Sequence, residues 1–123
     1  MDEKGFSKLA GRAIDSLPEQ ILGYLENVVF IVLPVPDEEM IRELDLVDEF
    51  DLLGLYQGDP LLARSLDVPV TLPDQILLFQ RAIELHCRET GESVEKAIRD
   101  TIIHEVGHHF GFSEEELEEL GLE

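Results

Sequence analysis

The chain has 123 residues, 44 % of them hydrophobic, which suits one compact domain over 1–123 and excludes a disordered tail. Its 28 acidic and 9 basic residues leave a formal net charge of −19. Such a surface repels phosphate backbones, so nucleic acid is excluded as an expected partner.

A single cysteine, Cys87, rules out an intrachain disulfide and fits a reducing compartment. Met1-Asp2-Glu3-Lys4 lacks the basic start and apolar run of a signal peptide. The longest apolar run, Val28 to Leu33, is far short of a bilayer span. The expectation is a soluble cytoplasmic protein with no membrane partner.

Phe6, Leu9, Ala10 and Ala13 recur at helical spacing and predict an amphipathic helix over 6–14. Ser16-Leu17-Pro18-Glu19 reads as a new helix start, with Ser16 as cap, Pro18 in the first turn and Glu19 completing a capping box. That helix runs to about Leu25. Residues 28–33 form a continuous, largely β-branched run, a strand expected to be buried on both faces and ended by Pro34 and Pro36. Asp37 caps a short helix to about Leu44, with Met40, Ile41 and Leu44 on its inner side.

Residues 51–58 read as a short strand or extended loop, punctuated by Gly54 and Gly58. The stretch 60–68 is irregular and 70–72 extended. Pro73-Asp74 forms a turn, and 75–79 is a second strand. Residues 81–88 predict a helix with Ala82, Ile83 and Leu85 packing inward. Cys87 follows His86, but neighbours on a helix diverge by about 100°, so a half-buried structural cysteine is preferred to a nucleophile–base pair.

Thr90-Gly91-Glu92-Ser93 opens a long helix to about Phe110. Val94, Ile98 and Ile102 form its apolar stripe, and Ala97, Thr101, His104 and His108 the adjacent one. Ser113 caps a closing helix to Leu120, with Glu116 in the capping-box position.

The segment His104-Glu105-Val106-Gly107-His108-His109-Phe110-Gly111-Phe112-Ser113-Glu114 carries the chemistry. Two histidines four residues apart share one helix face, so both imidazoles can reach one metal ion. Glu105 points to the side of that face as a general base for a water on the metal. Catalytic zinc usually takes three protein ligands. Gly111 can adopt a left-handed conformation and end the helix, letting the chain turn back and present Glu114 as the third. Glu115 is the rival for that position. His109 lies off the metal face, either behind the ligands or facing solvent. A hydrogen-bond donor to the developing oxyanion is also needed. Tyr56 is a candidate, with a packed aromatic beside Gly54 and Gly58 as the other reading.

The segments 104–114, 51–61 (Asp-Leu-Leu-Gly-Leu-Tyr-Gln-Gly-Asp-Pro-Leu) and 72–79 (Leu-Pro-Asp-Gln-Ile-Leu-Leu-Phe) resemble the small bacterial metallopeptidase-like proteins with a minimal zincin fold. The resemblance covers about Leu17 to Gly121. It implies an α+β fold, with a small mixed β-sheet packed against helices that include the zinc-binding active-site helix. It implies zinc ligands at His104, His108 and an acidic residue aligned with Glu114, where members often have aspartate. Resemblance to metzincins is partial, since no methionine follows Met40.

The functional expectation is a Zn2+-dependent metallopeptidase acting on a peptide or protein substrate. The competing reading is a non-catalytic zinc-containing binding or regulatory module. A purely structural site has no need of Glu105 and is usually closed by four ligands, often cysteines.

Overall fold

The computed structural model describes residues 1–58 and 73–120. Three strands form one mixed sheet in the order β1 (Val28–Leu33), β3 (Asp74–Phe79), β2 (Gly54–Gln57). β1 runs parallel to β3, with Val28 opposite Asp74 and Leu33 opposite Phe79. β2 runs antiparallel to β3, with Gly54 opposite Leu78 and Tyr56 opposite Ile76. The expectation for 51–58 thus resolves as a strand. The expectations for 60–68 and 70–72 lie outside the described residues. With six helices beside the sheet among the described residues, the fold is α+β, as the resemblance implied.

Helix α1 (Glu3–Asp15) starts where the Asp2 carboxylate accepts from the Gly5 N–H, and it buries Phe6, Ala10 and Ala13. Ser16 does not start the next helix. Its hydroxyl donates to the Ala13 carbonyl at 2.8 Å and closes α1 instead. The following helix, α2 (Glu19–Leu22), begins behind Pro18 with no side-chain cap and tightens into a 3-10 turn over Gly23–Leu25. A serine hydroxyl can serve either helix end, and here the orphan carbonyl of α1 captures it.

The apolar run 28–33 is a strand, but not one buried on both faces. β1 is a sheet edge and Val29 is 44 % exposed. The fully apolar position belongs to β3, where Ile76, Leu77, Leu78 and Phe79 are buried. Pro34 and Pro36 follow β1 as expected, and the Pro34 carbonyl accepts from the Arg81 N–H. Asp37 caps α3 (Glu38–Glu43) through Met40 N–H at 2.8 Å. Leu44, expected inside, is 41 % exposed, because α3 ends before it.

Helix α4 (Gln80–Thr90) continues directly from β3 and buries Ala82, Ile83 and Cys87. Leu85 is only half-buried. Helix α5 (Val94–Phe110) is the spine of the larger core cluster, with Ile98, Ile102, Ile103 and Val106 fully buried. Its first turn is capped by Ser93. Gly111, at φ 76°, ends it, and the Gly111 N–H returns to the Gly107 carbonyl.

Helix α6 (Glu114–Glu119) is closed by the expected reciprocal capping box. Ser113 Oγ accepts from Glu116 N–H and Glu116 Oε1 accepts from Ser113 N–H, both at 3.1 Å. It folds back across α5 at Gly107. A Cβ on Gly107 would lie 2.5 Å from Leu117 Cδ2, and Leu117 is 2 % exposed, so the bare backbone of Gly107 is what lets the two helices meet.

Candidate active site

The adjacent stripe of α5 changes character along its length. Ala97 and Thr101 are buried, and Thr101 turns its hydroxyl back to the Ala97 carbonyl at 2.7 Å. One and two turns later His104 and His108 are exposed. Their rings lie side by side, centroids 4.1 Å apart and tilted by 35°. The four-residue spacing therefore does what helix geometry requires of it.

Glu105 is half-buried on the β2 side of this pair. Its Oε1 accepts a hydrogen bond of 3.0 Å from the backbone N–H of Tyr56. Burial pushes its carboxyl above the ordinary carboxylate range, while the Tyr56 N–H, His104 and His108 pull it back down. A carboxylate pulled both ways, oriented by a backbone donor, suits a proton acceptor.

His104, Glu105 and Glu114 line one cavity of about 500 Å³, bounded also by Leu53, Leu117 and Glu118. His108 does not line that cavity; its ring lies against that of His104. Glu115 does not line the cavity. Glu118, one turn beyond Glu114 on the same face of α6, does. The sequence pattern did not single it out, because a turn at Gly111 points to Glu114 and its neighbour, not to a position one helical turn later. The i, i+4 relation to Glu114 was the available signal.

His109 stacks on Tyr56, with centroids 4.0 Å apart, and its Cε1 lies near Gly58. It ties α5 to the end of β2, off the face shared by His104 and His108. Tyr56 is buried, and its hydroxyl donates to Asp74 Oδ2 at 2.6 Å. Burial and the Asp74 carboxylate hold that phenol well above its usual range. Of the two readings of Tyr56, its contacts match the packed aromatic.

Two adjacent imidazoles, a half-buried carboxylate and a turned-back acidic helix lie together over residues 104–119, and the zincin-like metallopeptidase family model matches residues 25–122. The chain belongs to the zincin-like metallopeptidase family. No curated protein matches it. The family implies a zinc cofactor and a peptidase function.

The donor types present suit zinc, which binds imidazole nitrogen and carboxylate oxygen. Among the described residues, no three His, Cys, Asp or Glu side chains close into a finished metal cluster. The rings of His104 and His108 stand together, and Glu114 lines the cavity that His104 also lines. Glu114 is exposed at the start of α6 and lines the cavity. Cys87 is buried in α4 and does not line the cavity, leaving a nitrogen–oxygen donor set. No helix among the described residues is long and apolar enough to cross a membrane.

Proposed function

We propose that the chain is a zinc-dependent metallopeptidase that hydrolyses peptide or amide bonds. The observation that carries this reading is the seat of Glu105, half-buried beside the paired histidines and held at 3.0 Å by Tyr56 N–H. A site serving only the fold has no use for an oriented carboxylate beside the metal that is not itself a ligand.

In this reading His104 and His108 hold zinc through ring nitrogens, and Glu114 is the third ligand. Bound zinc supplies a Lewis acid that polarises a carbonyl and acidifies water toward neutrality. Glu105 takes the proton from the attacking water and delivers it to the leaving amine. The Tyr56 N–H fixes one carboxylate oxygen and leaves the other to face the reacting atoms. The partner is a peptide or protein substrate rather than nucleic acid, in keeping with the net charge of −19.

The test is cleavage of a diverse peptide library by zinc-loaded wild type and by Glu105→Gln. The reading expects cleavage by wild type and its loss in the variant. Equal activity in both would overturn the role of Glu105, and no cleavage with zinc bound would return the protein to the non-catalytic alternative.

A further inference from the structure

We propose that His109 is a positioning residue for Glu105: by stacking on the Tyr56 ring it fixes the backbone N–H that orients the base. The consequence for hydrolysis rests on the peptidase reading, whereas the hold on Glu105 does not.

Helix α5 carries two pairs of side chains at one spacing. His104 and His108 are one turn apart, and so are Glu105 and His109, displaced by about 100° around the axis. The rings of the first pair stand against each other. Both members of the second pair meet Tyr56. Glu105 Oε1 accepts from its N–H at 3.0 Å, and the His109 ring lies on its ring with centroids 4.0 Å and planes 22° apart. The doubled histidine therefore serves two stripes of the helix, one toward a metal and one that seats the base on β2.

The other contacts of the Tyr56 ring do not do the same work. Its hydroxyl donates to Asp74 at 2.6 Å, which ties it to β3 within the sheet and sets nothing across the gap to α5. Phe110 meets it edge-on, with centroids 5.8 Å apart and planes at 82°. Among the described residues, His109 is the side chain stacked on the face of that ring. A stacked aromatic pair resists both sliding and separation, so it fixes the distance between β2 and α5 one turn beyond Glu105. A hydrogen bond weakens steeply as its angle opens, so a small retreat of β2 releases the carboxylate. A base free to rotate spends part of its time away from the reacting atoms, and the rate falls with that fraction.

The experiment compares the zinc-supplied full chain with its His109→Ala and His109→Phe variants. Three quantities are read: amide hydrogen exchange by NMR, zinc affinity by chelator competition, and kcat and KM on a cleaved peptide. In His109→Ala the Tyr56 amide is expected to exchange at least about threefold faster, while the Phe79 amide, bonded to the Leu53 carbonyl, keeps its wild-type rate. Zinc affinity and KM are expected to stay unchanged, and kcat to fall by about three- to tenfold. His109→Phe keeps a ring on Tyr56 and is expected to return both the exchange rate and kcat toward wild type. An unchanged Tyr56 exchange rate in His109→Ala, or the same rate in the alanine and phenylalanine variants, would overturn the proposal. So would equal acceleration at Tyr56 and Phe79, which marks a general loss of structure, or a loss of zinc affinity in both variants, which marks a role at the metal. A wild type that cleaves no peptide rejects the peptidase reading, and the exchange pattern at Tyr56 then decides the positioning role by itself.

Discussion

The carboxylate of Glu105 accepts a hydrogen bond from the backbone N–H of Tyr56, joining helix α5 to strand β2 at 3.0 Å. Tyr56 lies opposite Ile76 in the antiparallel pair, and its N–H turns to Glu105 on α5 instead of to β3. The orientation of the base therefore depends on sheet and helix together, and no side chain that could rotate away is involved on the donor side.

Glu105→Gln keeps an oxygen for the Tyr56 N–H while removing a half-buried charge. The metal-free variant is expected to melt at or above wild type, and hydrolysis to fall by at least about 100-fold. Calorimetry and peptide-hydrolysis rates check the two halves independently.

Glu114→Ala is expected to weaken zinc binding by at least about tenfold, and Glu115→Ala far less, because of these two only Glu114 lines the cavity. A competition titration against a chromophoric chelator gives the ranking. If Glu118→Ala proves the most damaging, the third ligand moves one turn along α6.

Tyr56→Phe removes a hydroxyl that donates to Asp74 at 2.6 Å. Stability in urea is expected to drop by about 1–2 kcal/mol. Hydrolysis is expected to persist, since that hydroxyl is committed to Asp74. A rate loss of 100-fold at unchanged zinc content would restore Tyr56 as an oxyanion donor.

Gly107→Ala places a methyl 2.5 Å from Leu117 Cδ2 in a buried contact. Overpacking costs about 1–3 kcal/mol, and alanine returns up to about 1 kcal/mol of helix propensity. The net expectation is a loss of about 1 kcal/mol with weaker zinc binding, because α6 carries Glu114. Urea unfolding and the chelator competition measure both.

Burial, followed by Glu92 and Glu84, pushes the Cys87 thiol above its ordinary range. Thiolate is the reactive form, so iodoacetamide at mildly alkaline pH is expected to label the native protein far more slowly than the urea-unfolded chain. Since the folded state disfavours the thiolate, the thiol's contribution to stability is complete below its unfolded pKa and fades as pH rises through the folded one. Equal labelling rates would contradict the buried placement.

The helices with caps were legible in the sequence. Asp37, Ser93 and Ser113 each have a side chain that bonds the N–H three residues on, a local event that spacing alone predicts. So was the pairing of His104 with His108, fixed by one helical turn. What failed was non-local. The β-branched run of β1 matched a central strand, yet sheet order put β3 in the middle. Ser16 had two helix ends within reach, and composition could not choose between them. Glu118 entered the cavity only because α6 folds back over Gly107, a contact between residues far apart in local pattern.

X-ray absorption spectroscopy of the purified, zinc-supplied protein reads out whether His104, His108 and Glu114 hold a zinc ion. One zinc per chain is expected, with nitrogen and oxygen neighbours at about 2.0–2.2 Å and an imidazole signature of two rings. A protein that takes up no zinc, or a spectrum showing sulfur at about 2.3 Å, would contradict it.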